Sequence, residues 1–352
     1  MFSSAAQTAD HAVVIGIQRY ADVGAGWISD LQGPDNDAAE VATWLRDPQG
    51  GGLPADHVRV LRSADAPDPF TADRVEPHQK LVIQALTEVA QLPSNAYRGQ
   101  WAGRRLYVYV SGHGWANRRN EAALVTAEAS RALPINVLIT SWVEWMARAA
   151  PFQELVFWGD TCATRTPLTH LYPCDLPDIF SMNAPSVRTF AAYAAPVGLA
   201  AVENQMPDGK WHGAFTYALL QGLRGAAATP VTSDSLRDYL LNAVRSFISD
   251  RDRKRATVAK EPAFGFTDAM EFGSPRRPEF PVVLRFRPEA VGHRVFVGNS
   301  RAAPPVAETV LTEPEWVVPL AAGAYAVFVE ATGAMQEFQV VGGGADGPVD
   351  VP

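Results

Sequence analysis

Short runs of β-branched and aromatic residues alternate with stretches in which apolar residues recur at helical spacing, and this alternation persists from residue 11 to residue 247. His11–Ile17 (HAVVIGI), Arg105–Ser111 (RLYVYVS) and Glu154–Trp158 (ELVFW) read as strands buried in a parallel sheet. Val58–Leu61 and Thr189–Ala195 are two further strand candidates. Between them, Leu81, Val82, Ala85, Leu86 and Val89 line one helical face. Ile135, Leu138, Ile139, Trp142, Trp145 and Met146 line another, with Pro134 in a first-turn position that tolerates it. Leu236, Leu240, Val244 and Phe247 form a third behind a Ser233 cap. Parallel strands joined through helices impose right-handed crossovers, so the expected fold is α/β, a three-layer sandwich around a mostly parallel sheet.

Helical periodicity stops at the cluster Pro275-Arg276-Arg277-Pro278. Beyond it, Val282–Phe286, His293–Val297, Trp316–Pro319, Ala324–Glu330 and Phe338–Val341 are strand-like runs separated by Gly and Pro, the pattern of a small antiparallel β module. A chain of 352 residues suits such a division, because single cores stop growing at roughly 250–300 residues. The expected domains are 1–275 and 276–352, with a disordered glycine-rich tail over 342–352.

Charge and composition exclude several functions. Net charge is −8, and the longest basic run, Arg251–Arg255, reads as a solvated loop, which argues against a nucleic-acid partner. There is no run of 18 apolar residues and no basic segment followed by an apolar one at the start, so neither a membrane span nor a secretory signal is expected. Two cysteines, Cys162 and Cys174, fit a reducing cytoplasm better than an oxidised scaffold. Only His170 lies near them, too few ligands for structural zinc, and no metal site is expected. The serine-esterase, P-loop and zincin motifs are absent.

In open α/β sheets, ligands bind beyond the carboxyl ends of the strands. Two strands end in chemically useful residues: Leu106–Val110 runs into Ser111-Gly112-His113-Gly114, and Leu155–Trp158 into Gly159-Asp160-Thr161-Cys162. Parallel neighbours present these ends on the same edge, where a thiol beside an imidazole makes an activated nucleophile. Each residue alone has a plainer reading, the His as a structural ring and the Cys as an inert small hydrophobe.

These segments resemble the caspase and metacaspase peptidases. Tyr109–Gly114 (YVSGHG) is similar to the family's catalytic-His motif and Gly159–Thr164 (GDTCAT) to its Asp-x-Cys motif. His113 and Cys162 stand 49 positions apart, close to the roughly 50 typical of caspases. Val13–Ile17 resembles the family's first strand, and Leu31–Ala38 its L-x-G-x-x-N-D-A segment. Thr189–Ala195 with Ala201–Asn204 resembles the strand and loop that close the primary specificity pocket. Gly213–Leu220 resembles the Gly-x-Phe-Thr helix start, and Lys260–Gly265 a common end of the domain. The resemblance covers residues 10–272 and none of the β module. Two departures stand out: Ala163-Thr164-Arg165 replaces the usual His-Ser-Gly after the cysteine, and Asp35 precedes Asn36 in the early segment.

The resemblance implies a cysteine endopeptidase with a caspase-like sheet, Cys162 as nucleophile, His113 as base, and the N–H groups of Gly114 and Cys162 as oxyanion hole. Asp160 and Glu203, in segments that resemble the pocket, would suit protein substrates with Arg or Lys at the cleaved position; Asp208 is a further pocket candidate. Asp160 could instead cap a loop, and Glu203 could be solvated. No cofactor is required. Related enzymes are activated by calcium or by cutting in the segment that corresponds to Ala163–Arg188, where Arg165 and Arg188 are the processing candidates of such a zymogen. Bacterial relatives act in stress, antiviral defence or cell death, which implies an upstream activating protease or a defence-system partner. The non-enzyme alternative is a catalytically inactive caspase-fold scaffold.

Overall fold

The computed structural model describes residues 10–24, 27–66, 74–95, 98–165, 170–177, 185–275, 279–298, 305–321, 323–340 and 348–352. The chain forms two compact units: Met1–Leu223 with Pro230–Ser274, and Arg224–Thr229 with Pro275–Pro352.

In the first unit the strands are β1 (His11–Gly16), β2 (Val58–Arg62), β3 (Gly103–Gly112), β4 (Gly114–Trp115), β5 (Ala123–Val125), β6 (Asn136–Leu138) and β7 (Phe152–Thr161). They continue with β8 (Arg188–Tyr193), β9 (Glu203–Gln205), β10 (Trp211–Gly213), β11 (Val231–Thr232), β12 (Ala263–Thr267) and β13 (Glu271–Gly273). The helices are α1 (Pro34–Arg46), α2 (Gln79–Ala90), α3 (Ile139–Ala149), α4 (Ala214–Gln221), α5 (Ser233–Ala243) and the single turn α6 (Asp250–Arg253). The central sheet has the order β12-β8-β7-β3-β1-β2. All its pairings are parallel except β12 against β8.

Alternate residues of these strands serve opposite faces. On one face Val13, Ile15, Leu106, Val108, Leu155 and Phe157 pack with Val82 and Leu86 of α2 and Trp142 and Met146 of α3. On the other, Trp44 of α1 meets Tyr107 and Trp158 at ring-centroid distances of 6.1 and 5.8 Å, and the Tyr109 hydroxyl lies 2.7 Å from Thr216 Oγ1 of α4. Helices on both faces make the three layers.

At the amino end of the sheet, buried Glu154 collects three guanidinium groups. Arg105 Nε lies 2.6 Å from its Oε2, Arg104 lies 3.7 Å away, and Arg188 pairs with Oε1. Arg105 also donates to Tyr107 Oη at 2.9 Å and to the Glu271 carbonyl at 2.8 Å. Buried charge of this kind is tolerated only when every donor is used.

Local details differ from the sequence reading. The third helix starts at Ile139 rather than behind Pro134, because Asn136–Leu138 pairs antiparallel with β5. The Asn136 amide donates to the His170 carbonyl at 2.8 Å, which favours the extended form. The cap of α5 is Thr232, not Ser233: Thr232 and Ser235 form a reciprocal capping box, while Ser233 Oγ accepts from Met270 N.

The second unit holds β14 (Glu279–Phe286), β15 (Arg294–Gly298), β16 (Ala307–Val310), β17 (Glu315–Ala321), β18 (Gly323–Val329), β19 (Met335–Val340) and β20 (Val349–Val351). Its sheets, β17-β14-β20 and β16-β15-β18-β19, enclose Val282, Leu284, Val295, Val318, Val327 and Val329. The pairings are antiparallel except β20 on β14. The expected disordered tail is corrected in part, since Val349–Val351 forms a strand beside Leu284–Phe286; residues 341–347 lie outside the described residues.

Candidate active site

Two parallel strands bring the two catalytic candidates to one edge. In the β3–β7 ladder Gly112 stands opposite Thr161, so His113 and Cys162 are the next residues on adjoining strands; such strands lie about 4.8 Å apart. Both residues line a pocket of about 160 Å³, together with Asp37, Asp160, Glu203 and Gly213. The candidate oxyanion residue Gly114 packs on the same segment: a Cβ there would lie 2.5 Å from Thr161 Cβ and 2.8 Å from the Cys162 carbonyl oxygen, so only glycine fits.

His113 Nε2 lies 2.8 Å from the Ser29 carbonyl oxygen. A carbonyl only accepts, so Nε2 carries the proton and Nδ1 keeps its lone pair. Burial holds the His113 pKa below its ordinary value, against the opposing pull of Ser29 and of the Asp30 charge. The Cys162 thiol donates to the Ala201 carbonyl at 3.7 Å, and burial, with the Asp160 and Glu203 charges, pushes its pKa up to about 11. The resting pair is therefore a neutral thiol and a neutral imidazole.

The pocket floor is acidic. Asp160 Oδ2 accepts from Thr216 N at 3.0 Å and Thr216 Oγ1 at 2.6 Å. It thus caps the start of α4 from another element and also lines the pocket. Burial first, and then the nearby Asp37 charge, raise the Asp160 pKa to about 7. Gly213 is required beside it, because a Cβ there would come within 2.0 Å of Oδ2. Glu203 lines the pocket but is engaged by the main chain: its oxygens accept from Gln32 N at 2.9 and 3.0 Å and from Gly33 N at 2.8 Å, just before α1.

The family model of the caspase domain matches residues 9–267. The chain belongs to the caspase family of peptidases. A probable protease from a Desulfuromonadales bacterium is 29% identical over 265 residues, which are 71% of this chain. The chain spans 30% of that relative's length. The crystal structure of caspase-1 from Spodoptera frugiperda superposes with a TM-score of 0.50 at 13% identity, covering 78% of this chain and 94% of that one, a likeness of fold.

This caspase domain also contains pocket residues that motif reading passed over. Asp37 is fully buried in the floor, accepting from Ser111 Oγ and Gly213 N, both at 3.1 Å. Its other oxygen lies 2.8 Å from His212 Nδ1, and His212 Nε2 lies 3.2 Å from Asp208. Burial disfavours a charged ring here, yet the hydrogen bond and charge of Asp37, with Asp208 behind, outweigh it and raise the His212 pKa. The carboxylate on each ring nitrogen favours the charged form of His212, while burial raises the pKa of Asp37 itself. Asp37 belongs to the early motif and His212 directly precedes Gly213, but 175 positions separate them, so their pairing had no local signal. Asp208 is corrected from a pocket candidate to the outer partner of His212.

The two processing candidates fare differently. Arg165 is exposed, three positions past Cys162; neighbouring residues 166–169 and 178–184 lie outside the described residues. Arg188 opens β8 with its side chain on Glu154, and Thr189 and Phe190 after it are 7% and 0% exposed. The Arg188–Thr189 bond therefore runs within the sheet, where a peptidase cleft has no access, and Arg188 is withdrawn. Among the described residues no group of three or more His, Cys, Asp or Glu could hold a metal ion, and no helix is long and apolar enough to cross a membrane.

Proposed function

We propose that this caspase-family peptidase is a cysteine endopeptidase that cleaves after Arg or Lys, with Cys162 and His113 as its dyad. The carrying observation is a single pocket that joins the thiol and imidazole to the carboxylates of Asp160 and Asp37. Attack requires Cys162 Sγ to leave the Ala201 carbonyl and pass its proton to His113 Nδ1 as the S–C bond forms on the scissile carbonyl. The N–H groups of Gly114 and Cys162 hold the developing oxyanion; a donor of this type is worth about 2.7–4 kcal/mol of barrier. The imidazolium then gives its proton to the leaving amine as the C–N bond breaks, and water hydrolyses the thioester by the same base.

A cationic side chain in the pocket would meet Asp160, a lining carboxyl group whose Oδ2 is anchored by Thr216. A substrate aspartate would bring a further carboxyl group to a pocket already lined by three, Asp37, Asp160 and Glu203. Processing after Arg165, in a stress or defence setting, is part of the same reading. Peptides differing only in Arg, Lys, Asp or Ala at the cleaved position test it: Arg and Lys are cleaved by wild type and not by Cys162→Ala. Preference for Asp, or cleavage independent of Cys162, overturns the reading.

A further inference from the structure

We infer that Tyr20 is a positioning residue for the base, holding both the backbone and the ring of His113; the inference rests on His113 serving as that base. Tyr20 follows β1 and is 4% exposed. Its hydroxyl accepts from His113 N at 2.9 Å and donates to the Ile17 carbonyl at 3.0 Å, fastening the end of β3 to the end of β1. Its ring stands 5.0 Å from the imidazole centroid at 46°, closing one face of the ring. Its own N–H donates to Asp30 Oδ1 at 2.9 Å, and Asp30 adjoins Ser29, whose carbonyl holds Nε2. One loop thus grips His113 at the main chain, the ring face and the outer nitrogen, and Nδ1 is the nitrogen this grip leaves for the proposed proton transfer. Burial keeps the phenol protonated, so Tyr20 acts through its hydrogen bonds and not as an acid or base. Residue 112 between them is glycine, and a Cβ there would come 3.0 Å from the Tyr20 hydroxyl.

Tyr20→Phe keeps the ring and removes the two hydroxyl bonds. Misplacing a catalytic group by about 1 Å costs on the order of 100-fold, so kcat for an Arg peptide is expected to fall about 10- to 100-fold, with KM changed less than about threefold. The groups facing His113 are Tyr20, Ser29 and Asp30 from the loop and Cys162 from the neighbouring strand end. Loosening this enclosure admits water to the imidazole, so the acid limb of kcat should move to higher pH. Asp30→Ala, which frees the Tyr20 backbone, should repeat the fall in kcat more weakly, while loss of the Asp30 charge removes an upward pull on the His113 pKa and so opposes the shift of the acid limb. Its kcat serves as the readout if Tyr20→Phe loses its near-ultraviolet circular dichroism. A folded Tyr20→Phe with wild-type kcat and acid limb overturns the inference, as does a folded Asp30→Ala altered only in KM. Wild-type cleavage that does not depend on Cys162 would instead overturn the dyad itself.

Discussion

Asp160→Asn removes one charge from the pocket floor and leaves an oxygen in place for the two Thr216 donors. A guanidinium about 4 Å from the carboxylate gains roughly 4 kcal/mol at an effective dielectric of about 20. Truncating one partner of a buried pair costs about 2–5 kcal/mol, and Asp37 stays in the pocket, so the lower end applies. About 2 kcal/mol is roughly 30-fold in kcat/KM for an Arg substrate. The effect depends on pH because the Asp160 pKa is raised to about 7. Its carboxylate is present above that value and lost below it, so at pH 6 only about a tenth of the wild type is ionised. Initial rates on an Arg-coumarin peptide should show wild type ahead by about 30-fold at pH 8.5 and about threefold at pH 6. The variant should lack the limb near pH 7 and keep only the lower one of His113, whose pKa lies below its ordinary value. A ratio independent of pH, or equal rates at pH 8.5, would refute the argument.

Glu203→Gln should act on stability more than on specificity, because the carboxylate accepts three backbone hydrogen bonds at 2.8–3.0 Å. Urea unfolding should show a loss of about 1 kcal/mol, the usual net worth of a hydrogen bond, with a smaller change in Arg cleavage than Asp160→Asn gives. Arg105→Ala removes the buried one of the three guanidinium partners of Glu154, with Arg104 and Arg188 remaining, and should cost toward the lower end of about 3–5 kcal/mol in the same assay. Arg105→Met, which fills the volume, should fold no better than Arg105→Ala if the charge pair is what matters.

The layered architecture was legible because both sides of the alternation are local: apolar runs such as Arg105–Ser111 and the helical face of Leu81–Val89 need no distant partner to be read. His113 and Cys162 were legible for the same reason, each closing a readable strand in a recognisable motif. What escaped was decided across the fold. Asp37 meets His212 only after α1 and β10 dock. Arg188 looked like an accessible basic residue in a long loop, until pairing of β8 with β7 set it opposite Glu154. At Asn136–Leu138 the apolar spacing suits a helix, but pairing with β5 and the Asn136 side-chain bonds favour a strand. Val349–Val351, a three-residue strand behind a glycine run, carries too little pattern to be seen without its neighbour β14.

The dyad and the acidic pocket stand together in one reagent, a peptidyl chloromethyl ketone with arginine at the cleaved position, whose chloride is displaced by the attacking sulfur. Incubation with the intact chain, followed by peptide mass mapping, should place the adduct on Cys162 and leave Cys174 unlabelled. His113→Ala should slow its formation, and an aspartate-bearing ketone should not label the protein. An adduct on Cys174, or equal labelling of Cys162 by the aspartate reagent, would contradict the account.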